Sequence, residues 1–421
     1  MTEKITSSII GESCIKYVHP CGVTVFMLPM KGYSTVTAQF SVKFGSQDSR
    51  FRIGGGDEIT IPDGTAHYLE HKLFESEEKD AFALFAQTGA SCNAGTSYDY
   101  TVYYFNCAEN FAKNLEILLG FVQQPYFTPE NVEKERGIIE QEITMYQDSP
   151  NWRVIMELLS GVYSENPIKT DVAGTAESIS HITDKMLYDV YNAFYNPANM
   201  YLCIAGNFDP DEAIKVCEKC LNDRKPLDLE TIPFTEPYEV AKKRTEISMQ
   251  VAKPLFAIGF KRPDADGCEA LEEYIYYNII FDCIFGDMSD FYTRMRDEGY
   301  LNDSFGDAVF KGRGYVMPYA VGESDDPDHV LDEMKKELKK FKAEPPTREM
   351  FSRIKKATYG DCARSYNNVE ATAQTLSDAA LAGTSPFANI EAAAGAEYEK
   401  MLEKLAELDV ENVCLSVIRP L

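Results

Sequence analysis

The chain has 421 residues, 44% of them apolar and 12% aromatic, which is the composition of a folded globular protein and too long for one ordinary core, so two or three domains are expected. Its 41 basic and 67 acidic residues leave a net charge of −26, which argues against nucleic acid as a partner because phosphate binding needs a basic face. No run reaches the roughly 18 apolar residues that a membrane span needs. The start, "MTEKITSSIIGESCIKYVHP", lacks the basic and apolar pattern of an export signal. Eleven cysteines, an odd number, then predict reduced thiols and a cytoplasmic protein rather than a disulfide framework. The single CxxC, Cys217 and Cys220, predicts helix positions with one thiol turned inward.

In chain order, alternating and β-branched stretches predict strands over 23–29, 35–45, 99–107 and 200–207. Helical periodicity covers 64–75, 78–88, 109–124, 130–147, 152–163 and 183–195. The fourth of these follows "FTPE", where Thr128 suits the N-cap and Pro129 the first helical position. Residues 226–244, rich in proline and charge, predict a linker between a half at 1–225 and a half at 245–421.

Beyond the linker the order of elements restarts. The strand pair "TEISMQVAK" and "LFAIGFKR" precedes a long helix, "CEALEEYIYYNIIFDCIFG". "GYVMPYAVG" then precedes "HVLDEMKKELKKFKA", as "TVYYFNCA" precedes "NFAKNLEILLGFV". "KMLEKLAELDVENVCLSVIRP" echoes "KMLYDVYNAFYNPANMYLCIAG". This predicts a duplication: an α+β fold of two homologous halves, each a largely antiparallel sheet covered by helices.

The chemistry is concentrated in "GTAHYLEHKLFES", which carries two of the chain's five histidines. At about 100° per residue, His67 and His71 lie about 40° apart, one turn apart on one face, and Glu70 falls about 60° to the other side of His67. Two imidazoles one turn apart suit a single zinc ion, with the carboxylate between them placed for its water. The order is the reverse of HExxH, the HxxEH of inverzincins. Catalytic zinc takes three protein ligands. The helix "ENVEKERGIIEQEITMYQD" offers a third, and its heptad spacing stacks Glu135 with Glu142 and Glu133 with Glu140. Spacing alone leaves both pairs open.

The two motifs together resemble the pitrilysin and mitochondrial processing peptidase family of zinc peptidases. "KFGSQDSR", "GASCNAGTSYDYTVYYF" and "AFYNPANMYLCIAGNFD" fit the N-terminal half of that family at the expected places. The resemblance spans the chain as two halves, like the short two-domain bacterial-type members. It implies Zn2+ held by His67, His71 and Glu142, with Glu135 supporting a histidine ligand and Glu70 as general base. It further implies an endopeptidase whose peptide substrate pairs with the strand in "GASCNAGTSYD", near Asn93 and Ala94.

The second half departs from the family. Members that are active usually carry there an arginine and, seven residues on, a tyrosine that hold substrate. Arg296 matches the arginine, but seven residues on stands Asp303, and Tyr300 is only four residues on. The resemblance therefore implies a metal-bearing subunit of a dimer enclosing a chamber for peptides or unfolded segments, and a heterodimer if a companion supplies the arginine–tyrosine pair. The other reading is a non-hydrolytic peptide-binding or assembly subunit.

Overall fold

The computed structural model describes residues 2–77, 80–222, 224 and 227–421. Among these, the strands are β1 (Thr2–Thr6), β2 (Ser13–Val18), β3 (Thr24–Pro29), β4 (Val36–Val42), β5 (Arg50–Ile53), β6 (Ile59–Thr60), β7 (Ser91–Thr96), β8 (Thr101–Cys107), β9 (Met200–Gly206) and β10 (Leu229–Thr231). They continue with β11 (Arg244–Met249), β12 (Leu255–Phe260), β13 (Gly306–Gly312), β14 (Tyr315–Glu323) and β15 (Val413–Pro420). The helices that position the site are α1 (Thr65–Leu73), α2 (Ala81–Thr88), α3 (Phe111–Val122), α4 (Pro129–Gln147) and α5 (Pro150–Val162). The expected helix over 78–88 begins partly outside the described residues. Its described part starts behind Asp80, whose carboxylate accepts the Phe82 N–H at 2.8 Å.

A seven-stranded sheet runs β1-β2-β3-β9-β4-β8-β7 and a five-stranded one β11-β15-β12-β14-β13. In the first, β3 and β9 are parallel and β9, β4, β8 and β7 follow antiparallel. In the second, β11 and β15 are parallel and β15, β12, β14 and β13 follow antiparallel. One topology thus occurs twice, with its single parallel pair in the same place. The strands of the expected pair near 245–262 do not bond to each other, because β15 lies between them.

The chain forms two compact units. One combines Met1–Ile143, Asp171–Pro233 and Ala363–Ala388, and the other Thr144–Thr170, Phe234–Cys362 and Asn389–Leu421. This partition interleaves the chain, whereas the sequence predicts a single cut. The expected cut at 225–226 lies outside the described residues, and within the expected linker β10 pairs with β5.

In the first unit β4 is buried along its whole length. Val36, Ala38, Phe40 and Val42 join the hydrophobic core, and Phe40 alone contributes about 2 kcal/mol by leaving water. The alternate residues face the helix Val369–Ala382, where Gln39 donates to Gln374 at 3.4 Å. In the second unit α5 occupies the corresponding place over β15 and β12. Each sheet is therefore covered by a helix from the other half of the sequence.

Candidate metal centre

The site begins with a helix that starts without a side-chain cap. Gly64 precedes α1 at φ 89°, and a Cβ there would lie 2.5 Å from the Ala173 carbonyl oxygen, so only glycine allows this entry. The start sets the helix phase. Tyr68 and Leu69 are turned fully into the core, while His67 and Glu70 are buried and His71 half-buried on the face that helical rotation sets opposite them. The Tyr68 hydroxyl donates to the Val132 carbonyl of α4, which ties the two helices together.

Helix α4 begins as expected. The Thr128 hydroxyl accepts the Asn131 N–H at 3.2 Å, and the Asn131 side chain accepts the Thr128 N–H at 2.9 Å. Val132, Glu135, Ile139 and Ile143 form its buried side. The same face brings Glu142 to the histidines, with its Oε2 3.7 Å from His67 Nε2 and 3.3 Å from His71 Nε2. One ligand atom from each of His67, His71 and Glu142 lies within 4.8 Å of the others, the only such group of metal-binding side chains among the described residues. Glu133 turns away to pair with Arg136, and Glu140 is exposed. Tertiary geometry thus separates two glutamate pairs that helical spacing could not.

Electrostatics follow from this crowding. His71 donates Nδ1–H to Glu135 Oε1 at 3.0 Å. Burial alone would lower the His71 pKa, but its bonds to Glu135 and Glu142 hold it up at about 10. Glu135 is buried, which raises its pKa, yet the bond to His71 wins and keeps it below the usual carboxylate range. Burial, reinforced by the charge on His71, lowers His67 to about 4, so its ring is neutral and ready to ligate. Glu70, 8% exposed, is pushed up to about 7 by desolvation. Three carboxylates thus surround two imidazoles, and a divalent cation would offset their charge. Two ring nitrogens and one carboxylate oxygen are also the donor set of a catalytic zinc site, so the residues fit such an ion. The Nδ1 of His67 is buried without a hydrogen-bond partner, so only His71 of the two has a carboxylate behind it.

The remaining expected residues are spread more widely. Asn93 and Ala94 lie in β7, the edge of the seven-stranded sheet, with Asn93 exposed. The Asn93 side chain accepts the Ala94 N–H at 2.9 Å. Arg296 belongs to the second unit, exposed on the helix Asp290–Asp297 with its guanidinium 5.6 Å from the Tyr292 ring centre. Asp303 accepts the hydroxyl of that tyrosine at 3.5 Å. One contact was not expected: the Thr96 hydroxyl donates to Glu70 Oε2 at 3.1 Å. Its only sequence signal is its place at the end of the edge strand.

Residues 52–176, which hold all five residues of this centre, match the family model described as Insulinase (Peptidase family M16). Residues 181–358, which include Arg296 and Asp303, match the Peptidase M16 inactive domain. The chain is 36% identical over 398 residues to YmfH of Bacillus subtilis, named an uncharacterized zinc protease, and the match covers 93% of this chain and 91% of YmfH. An M16-like structure from Alicyclobacillus acidocaldarius superposes with a TM-score of 0.93 at 32% identity, over 100% of this chain and 99% of that one. A protease from Helicobacter pylori shares the fold, with a TM-score of 0.84 at 17% identity over 97% of this chain and 100% of that one.

Proposed function

The chain belongs to the M16 (insulinase) family of peptidases, and on that premise we propose that it is a zinc-dependent endopeptidase acting on peptides or unfolded segments. The observation that carries this reading is the convergence of His67, His71 and Glu142 with the buried carboxyl of Glu70 beside them. His67, His71 and Glu142 would hold the ion, and Glu135 would fix the tautomer and orientation of His71. Zinc, when bound, supplies a Lewis acid that polarises the scissile carbonyl and makes water a stronger acid. Glu70 takes the proton of the attacking water and returns it to the departing amine. Desolvation holds that carboxyl at about 7 before an ion binds, and the charge of a bound cation would favour its ionised, proton-accepting form.

An extended peptide would add a strand to the open edge of β7, beside Asn93 and Ala94. Arg296 would contribute from the second half of the chain. Asp303 at the place of the family's tyrosine favours a dimer that encloses the substrate, with a companion chain supplying an arginine–tyrosine pair. No described helix is long and apolar enough to cross a membrane. The eleven cysteines are free thiols, which fits a reducing compartment such as the cytoplasm.

The test is mass spectrometry of a mixed set of unstructured peptides incubated with the zinc-loaded chain and with Glu70→Gln. Cleavage by the first alone supports the reading. Zinc binding without cleavage, with or without a companion, would favour the non-hydrolytic subunit, a role in keeping with the second half's match to an inactive domain. Light scattering of the active species tests the dimer, and a fully active monomer would remove it.

A further inference from the structure

The segment "KFGSQDSR" contributes nothing to the metal centre, yet it closes on the hairpin that carries the open sheet edge. β7 and β8 are joined by a tight turn in which Ser97 donates its N–H to the Tyr100 carbonyl at 2.8 Å, and Thr96 pairs with Thr101 just inside it. Ser46 and Gln47 donate their N–H groups to the Ser97 and Tyr98 carbonyls at 3.1 and 2.8 Å. The Thr101 hydroxyl donates back to the Phe44 carbonyl at 2.8 Å. Asp48 shapes this clamp by accepting the Gly45 N–H at 2.9 Å. The approach is so close that a Cβ on Gly45 would lie 2.3 Å from the Tyr98 carbonyl carbon. Only glycine fits there.

The clamp holds the end of β7 on both sides of the turn, and Thr96 is the residue through which that rigidity reaches Glu70. The carboxylate of a glutamate is otherwise free to turn about its last torsion. We propose that Thr96 is a positioning residue, which fixes Oε2 of Glu70 and leaves Oε1 to receive the proton. Because Thr96 belongs to the strand on which a peptide would pair, it also links the orientation of the base to the occupied edge. The proposal rests on Glu70 acting as the base of a peptidase.

A hydrogen bond to a charged group biases a conformer by roughly tenfold to a hundredfold. Thr96→Val keeps the branched shape that suits a strand and removes the hydroxyl, and Thr96→Ser keeps the hydroxyl. In the zinc-loaded chain Thr96→Val should lower kcat by about tenfold to a hundredfold, with KM and metal content nearly unchanged, and Thr96→Ser should restore kcat to within about threefold. Crystal structures of the zinc-loaded wild type and Thr96→Val should show Glu70 in a different rotamer in the variant. An unaltered kcat in Thr96→Val, or the same Glu70 rotamer in both structures, would overturn the role of Thr96. If wild type and Glu70→Gln are equally inactive, the peptidase reading is what fails, and the rotamer comparison alone decides the contact.

Discussion

His71 donates Nδ1–H to Glu135 at 3.0 Å, which turns its other nitrogen, Nε2, toward Glu142 at 3.3 Å. A carboxylate can only accept, so the bond fixes the tautomer: the proton sits on Nδ1 and the lone pair of the neutral ring on Nε2. Glu135→Leu, which cannot accept that N–H, should therefore weaken zinc binding by about tenfold to a hundredfold while leaving the fold intact. Competition against a fluorescent chelator measures this, and an affinity within about twofold of wild type would show that Glu135 does not orient the ligand.

The metal-free centre also sets a pH dependence. His71 stays protonated up to about 10 and His67 is neutral above about 4, so a metal that takes both rings must expel the proton of His71. Raising the pH removes that competing proton. Zinc affinity should climb by about tenfold per unit between about pH 8 and 9, where Glu70 is already ionised and His71 still holds its proton, because one proton leaves for each ion bound. Chelator competition across that range checks the slope, and a flat profile would mean that the ion does not bind His71 Nε2.

Two glutamates two residues apart should behave differently. Glu142 meets both histidines and Glu140 is exposed. Glu142→Gln should lose more zinc affinity than the roughly hundredfold a supporting residue costs, whereas Glu140→Gln should leave it nearly unchanged. Metal content after gel filtration in limiting zinc distinguishes them, and comparable losses would exchange or merge their roles.

A prediction about stability comes from the second unit. Asp307, in β13, is pushed up to about 7 by desolvation and then by the negative charges of Asp282 and Asp287. A carboxyl raised in the folded state contributes stability that is fully present below its unfolded value near 3.8 and is lost as the pH rises through about 7. Asp307→Asn should raise the melting temperature at about pH 8 and bring no gain at about pH 4. Thermal unfolding at both values is the check, and an equal shift at each would point to packing instead of charge.

The main strands and helices could be read locally because their apolar periods lie within each segment, as the closely placed limits of β3, β4, β9 and α4 illustrate. The strands β1, β2, β5, β6, β10 and β13 were not expected. β10 becomes a strand only by pairing with β5 far back in the chain, and three residues carry no period. In the same way a helix shows its buried face in its own sequence but not which sheet it will cover. The interleaving of α5 and the helix Val369–Ala382 with the two sheets was therefore out of reach.

The sequence by itself determined that His67, Glu70 and His71 share one helix face, since a fixed rotation per residue decides this before any packing. It also determined the doubled order of elements, because that order is written along the chain. Helical spacing left Glu142 and Glu140 equal, and only the family resemblance pointed to Glu142 with Glu135 behind a histidine. The structure brings Glu142 to both histidines and Glu135 to His71, and it alone revealed that Thr96 reaches Glu70. These contacts join separate elements. They depend on how α1, α4 and the β7–β8 hairpin are set against one another by a buried tyrosine, a glycine that admits no side chain and a sheet edge. Local periodicity carries no information on distances of that kind.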